Sequence, residues 1–386
     1  MKSHFPIMLF AVLTIVQVGL LSGCQCLTPD APLNHLQIYW LPTSASTLIK
    51  MPTGEVVLID SGEPLLFKPQ PPSVPSIPSG DAIYWALTNA TGTNIIDDYI
   101  TTHWHADHFY GIYDLRSRVQ INRMWGRSPS SLFSTATTAP GASADYYWAY
   151  EATEKGRTSF VARLGTNIIL NTNYPGCPIS LQVIAANGET LNSSQPNTDC
   201  CNREDEKLPN RNPSPIENTN SLALLLKVGR FRYLEDGDLI CRIAMQMLSA
   251  NDPRLTPVDV YRTAHHADSN SNPECLLQLA SPSVVVANNP AGANNSQSQD
   301  WWINRDSPPI FYQTYLMDPA SHPGHIDTSA VLWPHQAAQS DRRYIKLDYT
   351  PGANFFEMQV GGADITKARV KRFKIKNKQI ERAILK

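Results

Sequence analysis

The stretch Thr101-Thr102-His103-Trp104-His105-Ala106-Asp107-His108 places three histidines and a carboxylate within six residues. It follows an apolar run (Ile95, Ile96, Tyr99, Ile100) that reads as a buried strand. Where a strand ends the backbone turns, and alternate side chains need not keep pointing to opposite faces. A turn lets His103, His105, Asp107 and His108 converge on one small volume. Neutral imidazoles with one carboxylate suit a borderline cation such as zinc, and two metals can share such a cluster. The competing reading is a chance run of histidines on a surface turn. The chain holds only ten histidines, which weighs against it.

Two later places carry compatible chemistry. Gly237-Asp238 follows the strand-like Arg230-Phe231-Arg232-Tyr233-Leu234, and His265-His266 follows an apolar piece containing Val258 and Val260. Alone, Gly-Asp is a commonplace turn, and one histidine of an adjacent pair is expected to pack or hydrogen-bond structurally. Asp60-Ser61-Gly62 ends another apolar run, Glu55 to Ile59, where an aspartate before glycine is also an ordinary turn former.

His-x-His-x-Asp-His after a hydrophobic strand resembles the signature of the metallo-β-lactamase superfamily. The resemblance covers roughly residues 35–330 and implies an α/β fold, the αββα four-layer sandwich. It implies that Asp238 bridges two metals, that His265 (favoured over His266) is the last histidine ligand, and that Asp60 supports the metal loop without binding metal. Most members place a further ligand histidine between the first cluster and Asp238. Here no histidine occurs from Phe109 to Ala264. That interval instead contains Glu217-Asn218-Thr219-Asn220-Ser221-Leu222, followed by Gly237-Asp238-Leu239 and His265-His266. This order is similar to the metallo-hydrolase domain of the bacterial DNA-uptake competence protein ComEC. The chain departs from that subgroup in reading His-His-Ala-Asp for His-His-Gly-Ser, and in lacking its multi-span membrane channel. The implied ligands are His103, His105 and Asp238 for one metal, with Asn220 or water filling in, and Asp107, His108, Asp238 and His265 for the other. A site short of one imidazole binds more weakly, so one or two zinc ions, partial occupancy, or manganese all fit. In His322-Pro323-Gly324-His325, His322 or His325 is a candidate substrate contact; two solvated loop histidines are an equal alternative.

The N-terminus reads as a targeting segment. Lys2 and the apolar run Phe5 to Leu21 precede Leu21-Ser22-Gly23-Cys24, which resembles a bacterial lipobox with lipid carried on Cys24. An ordinary secretory signal or an uncleaved anchor are the alternatives. Gln25 favours an outer-membrane lipoprotein facing the periplasm, for a Gram-negative source. The division is therefore 1–23 lipoprotein signal peptide, 24–34 tether, 35–350 hydrolase domain, and 351–386 C-terminal strands and basic tail. The basic segment Lys367 to Lys386 reads as an edge strand whose charges discourage aggregation, or less readily as a surface for an anionic substrate or lipid. A net charge of −2 gives the whole chain no general pull toward nucleic acid or anionic membrane. Export would place the remaining cysteines where disulfides persist. No Cys-x-x-Cys pair occurs, and Cys177 with Cys200 or Cys201 is the expected bridge.

The elements that must position these residues are strands at 36–41, 46–50, 55–62, 121–126, 179–186, 220–226, 230–234 and 282–289, with a helix over Tyr146 to Leu164. A proline-rich loop spans Pro69 to Pro78, and a polar one runs from Asn187 to Asn218. Two cations about 3.5–4 Å apart would activate water and polarise a substrate oxygen, with Asp107 and Asp238 orienting the attacking hydroxide. The expectation is a lipid-anchored, metal-dependent hydrolase acting on a phosphodiester such as DNA. A lactonase or β-lactamase-like enzyme on small cyclic substrates is the alternative, and a binding lipoprotein with a weakened site is the third.

Overall fold

The computed structural model describes residues 34–43, 45–62, 78–127, 158–169, 171–174, 177–191, 200–201, 214–248, 255–268, 271–288, 309–314, 343–362 and 369–376. Three short strands, β1 (Leu36–Trp40), β2 (Thr47–Lys50) and β3 (Val56–Ile59), form an antiparallel meander. The next strand, β4 (Ile95–Thr101), runs parallel to β3, and β5 (Gln120–Gly126) and β6 (Thr158–Val161) continue in parallel. Parallel neighbours need a crossover; the helices Ser79–Ala86 and Ile112–Leu115 lie in those crossovers.

The arrangement then repeats in a second sheet. After β7 (Asn173–Tyr174), β8 (Cys177–Ala186) and β9 (Glu189–Thr190), the antiparallel strands β10 (Ala223–Val228) and β11 (Phe231–Glu235) give way to parallel β12 (Val260–Arg262), β13 (Val284–Ala287) and β14 (Ile310–Gln313). Here the crossovers carry the helices Cys241–Leu248 and Glu274–Ala280. The chain finally rejoins the first sheet with β15 (Arg343–Tyr349) on β1, then β16 (Phe355–Gly362) and β17 (Arg369–Lys374). Among the described residues the result is a mixed α/β arrangement with a nine-stranded and an eight-stranded sheet.

Alternation along the strands divides the apolar side chains between separate cores. Trp40, Ile49, Val57, Ile59 and Ile100 from the first sheet meet Leu181, Leu224, Tyr233, Val260 and Val286 from the second. The opposite face of the first sheet, with Leu48, Leu58 and Tyr99, packs under Ile83, Ala86, Ile112 and Leu115. The opposite face of the second, with Leu225, Leu234, Tyr261 and Val285, packs under Ile243, Met247, Leu276 and Leu277. A buried leucine-sized side chain contributes about 1.5–3 kcal/mol, so each helix is held by its apolar face. Polar contacts also cross between the sheets: Trp40 Nε1 donates to Tyr233 Oη at 3.2 Å, and Thr47 Oγ1 to Glu235 at 3.2 Å. Because β3, β4, β11 and β12 run the same way within each sheet pair, the loops at their C-terminal ends are the ones that carry Asp60, residues 102–108, Asp238 and the histidine pair.

Several expectations need correction. Residues 158–161, expected to be helical, form β6: Phe160 stacks on Trp125 at 4.5 Å, and the free edge of β5 supplies hydrogen-bond partners that local periodicity does not reveal. Tyr146 to Arg157 lie outside the described residues. Residues 350 and 351 lie in the turn between β15 and β16, which pair antiparallel. Cys200 pairs with Cys275 and Cys201 with Cys241, so neither bridges to Cys177, which is itself disulfide-bonded. Among the described residues no helix is long and apolar enough to cross a membrane. Cys24, the tether up to residue 33, His322 and His325 lie outside the described residues.

Candidate metal centre

The loop after β4 is held from beneath by Asp60. Its carboxylate accepts the Thr102 backbone N–H at 2.8 Å, the Thr102 hydroxyl at 2.8 Å and His108 Nδ1 at 2.7 Å. An imidazole whose Nδ1 is engaged in this way presents Nε2 to the site. Asp60 sits at φ 53, a left-handed conformation that aspartate tolerates better than most residues. Within the same loop His103 Nε2 and His105 Nδ1 approach to 3.0 Å.

Asp238 arrives from the second sheet. Gly237 has φ +54, and a Cβ there would lie 2.9 Å from Thr102 Cβ, so glycine is required by conformation and by the approach of the two loops. Ser221 Oγ accepts the Asp238 backbone N–H at 3.2 Å, and Leu222 N donates to Thr102 O at 2.9 Å. Arg262, fully buried, donates from Nη1 to Gly237 O at 3.0 Å and fixes the turn from the other side. His103 Nε2 then lies 3.7 Å, and His108 Nε2 3.2 Å, from Asp238 oxygens.

The histidine pair follows β12 in an unusual backbone. His265, His266 and Ala267 all have positive φ (47, 53 and 69°). Such residues cost on the order of 1 kcal/mol or more each. The consequence is that His266 turns inward. Its Nε2 lies 2.7 Å from Asp107 Oδ2 and 3.9 Å from Asp238 Oδ2, while Nδ1 bonds Asn288 O at 2.9 Å. His265 is 39% exposed, 4.0 Å from Asp238 and 3.5 Å from Asn218 Nδ2. The sequence preference for His265 therefore gives way to His266, because the left-handed run reverses the sidedness expected from strand alternation.

Two groups of donors result. Asp107, His108, Asp238 and His266 form one, and His103, His105 and Asp238 the other; within each, the ligand atoms lie within 4.8 Å of one another. The sulfurs of Cys200, Cys201 and Cys241 also cluster, but disulfides occupy them. Asn220 is nine-tenths buried, and its Oδ1 lies 3.9 Å from where a Cβ on Gly188 would stand.

Electrostatics divides the imidazoles. Burial, reinforced by His108, holds His103 well below the usual imidazole range, and burial lowers His105 against the pull of Asp238 and Asp107. Burial also opposes charge on His108 and His266, but the surrounding carboxylates, Asp238 foremost, outweigh it and raise both. Burial pushes Asp107 and Asp238 up, and His108 and His266 more than offset it, holding both below the ordinary carboxylate range.

The donor set fits a metal. His108 Nε2 and Asp238 Oδ1 are buried, 3.2 Å apart, and neither has a hydrogen-bond partner among the described residues. An unmet buried polar atom costs roughly 1–3 kcal/mol, and a cation ligated by both atoms would satisfy both. Nitrogen and oxygen donors in this mixture suit zinc, manganese or iron alike.

Sequence reasoning passed over two supporting residues. Glu217, buried at the end of the helix Ser214–Thr219, accepts the Trp104 backbone N–H at 2.7 Å and Arg127 Nε at 2.7 Å. Arg127 follows β5 and is buried against the Trp104 ring at 5.8 Å. The only signal would have been charge: Glu217 is an ionic residue in an otherwise uncharged stretch, 90 residues from Arg127.

No protein-family model matches the sequence, and no curated protein matches it. Among solved structures, a variant of the CmlA β-hydroxylase is similar, with a TM-score of 0.38 and 13% identity over 66% of this chain and 46% of that one. This chain thus spans less than half the length of that protein, and a likeness of this degree carries no weight for fold or chemistry.

Proposed function

We propose that this chain is a metal-dependent hydrolase of the metallo-β-lactamase superfamily, built as an αββα sandwich and belonging to the competence-type subgroup. The observation that carries this reading is the place of Asp238, whose carboxylate belongs to both donor groups. His103, His105 and Asp238 would hold one cation, and Asp107, His108, Asp238 and His266 the other. Divalent cations so held lower the pKa of water and polarise a substrate oxygen. Asp107, kept ionised by His108 and His266, is the carboxylate placed to orient the attacking water and take up its proton. His265, 39% exposed, lies on the open side, where substrate would arrive, with the buried Asn218 beside it.

The choice of a phosphodiester, with DNA as the candidate, rests on the competence-type phrase. Asn220-Ser221-Leu222 occupies the interval where a histidine would otherwise stand, and it does so by supporting Asp238 and Thr102. Export is favoured by the Cys200–Cys275 and Cys201–Cys241 disulfides, which persist in oxidising compartments, and the lipid at Cys24 rests on the lipobox-like Leu21-Ser22-Gly23-Cys24.

Elemental analysis of the full chain purified without added metal, followed by a substrate panel, tests the reading. We expect two equivalents of transition metal, both lost in Asp238→Ala and only one in His105→Ala. Turnover should be greatest on bis-p-nitrophenyl phosphate or single-stranded DNA, and absent in the Asp107→Ala/His108→Ala variant. Preferred turnover of lactones or β-lactams would replace the substrate assignment, and a metal-free, inert protein would make the chain a binding lipoprotein. Activity surviving the double substitution would overturn the metal mechanism.

A further inference from the structure

We propose that the outward face of β16 and β17 is a docking surface for anionic phospholipid headgroups. This rests on the reading of Cys24 as a lipid anchor. From Lys367 to Lys386 the chain carries nine lysines and arginines against the single acid Glu381, in a protein whose net charge is −2. Such a run protects an edge strand and also complements an anionic surface.

The register shows what the edge presents. In β17, Val370, Arg372 and Lys374 fall on one face and all are exposed, while Phe373 turns inward and stacks on Phe356. Across from them β16 contributes Phe355 (opposite Lys374) and Gln359 (opposite Val370). Phe355 is 46% and Val370 53% exposed, the largest exposures among the big apolar side chains of the described residues. Arg372 is paired with Glu357 on this face, and Lys374 flanks Phe355. Exposed apolar side chains beside a lysine suit the headgroup boundary, where the apolar part inserts and the charge meets phosphate.

Location gives the second argument. β1 begins at Leu36, opposite Tyr349 at the end of β15, and Asn34 precedes it. Phe355 starts β16 after a short turn, and Ile375 N bonds Asn354 O at 2.9 Å. The start of β1, Phe355 and Lys374 therefore share one end of one sheet. Asn34 is ten positions after Cys24, a reach of at most about 35 Å when extended. A lipid at Cys24 would keep this end of the sheet, and so this face, within about 35 Å of the bilayer it is anchored in. One acyl signal plus a polybasic patch is a standard pairing for stable attachment.

The test uses the full lipidated chain on vesicles of phosphatidylglycerol with phosphatidylethanolamine, compared with phosphatidylcholine alone. Amine acylation is read lysine by lysine by mass spectrometry, with Lys227 on the other sheet as the reference. Lys374 should be acylated at least threefold more slowly on the anionic vesicles, and the protection should vanish at about 0.5 M salt, where the Debye length falls to a few ångströms. The Val370→Asp/Arg372→Gln variant changes only exposed positions and should remove the protection while leaving flotation intact. Flotation with both vesicles but equal Lys374 labelling would overturn the docking face and leave the anchor standing. Failure to float with neutral vesicles would overturn the anchor, and Lys374 labelling on anionic vesicles would still decide the face. Protection by single-stranded DNA without protection by vesicles would overturn it in favour of a nucleic-acid surface.

Discussion

Glu217 Oε1 accepts the backbone N–H of Trp104 at 2.7 Å, tying the loop between His103 and His105 to a helix 113 residues away. The same carboxylate binds the buried Arg127 guanidinium through two nitrogens. Removing one partner of a buried pair costs about 3–5 kcal/mol, so Glu217→Leu should be severely destabilised. Glu217→Leu/Arg127→Met removes both charges and should regain much of that loss. It still lacks the acceptor for Trp104, so metal affinity should remain down about 10- to 100-fold, the usual effect of losing an outer-shell partner. Denaturation and metal titration of the two variants, run side by side, separate the two roles. Equal metal affinity in wild type and double variant would show that the tether does not position the loop.

His266 and His265 offer a sharper contrast, being adjacent and chemically identical. His266 Nε2 lies 2.7 Å from Asp107, and the His265 imidazole lies 3.5 Å from Asn218 Nδ2. Substituting His266 by alanine should therefore reduce bound metal from two equivalents to one. His265→Ala should keep both metals and lower turnover by raising KM. Metal content by elemental analysis decides, and the reverse pattern would restore His265 as the ligand.

What made part of this site readable was locality. His103, His105, Asp107 and His108 come from one loop, so their convergence needed only a turn after an apolar strand. Asp238 was readable because Gly237 marks a left-handed turn in phase with β11. The choice within His265-His266 depended on three consecutive left-handed residues, a conformation that no residue type there announces. The sheets themselves were legible as apolar runs, with β6 the exception, since its exposed residues are held by pairing to β5 and by Trp125. Glu217 and Arg127 were invisible because a buried ion pair is a property of two distant places at once. The cysteine pairing failed for the same reason: it depends on how two helices pack on the second sheet.

Asp259 should give the protein a measurable pH dependence away from the metal centre. It accepts the backbone N–H groups of Arg232 and Lys376, each at 2.9 Å, yet burial pushes its carboxyl up to about 6 from an ordinary 3.8. The folded chain thus holds this proton more tightly than the unfolded one. Its stabilising contribution is complete below about pH 4 and is lost as pH rises through about 6, on the order of 3 kcal/mol in all. Glu235, raised by burial to about 7, and Asp236, raised by burial to about 8, slope the same way. Urea denaturation of metal-free protein at pH 5 and pH 8 should show the loss. Asp259→Asn, less stable at both because an acceptor is gone, should show a distinctly smaller difference between them. Parallel curves for the two proteins would assign the slope to other groups.

Cys200 and Cys201 are neighbours that reach different helices, Cys275 and Cys241 respectively. The Cys201–Cys241 bridge spans 40 residues, for which the chain-entropy relation gives about 4 kcal/mol. The double variant Cys201→Ser/Cys241→Ser should lose roughly that much and keep the other bridge. The single variant Cys241→Ser should behave worse, for a chemical reason. The sulfurs of Cys200, Cys201 and Cys241 lie within 4.8 Å of one another, so a freed Cys201 thiolate stands beside the Cys200–Cys275 bond. Attack on Cys275 Sγ forms Cys201–Cys275, breaks the original bond and expels Cys200 as the thiolate. Non-reducing peptide mapping should therefore find a mixture of Cys200–Cys275 and Cys201–Cys275 in the single variant and one species in the double. A uniform Cys200–Cys275 bridge in Cys241→Ser would mean that the freed thiol cannot reach its neighbour's bond.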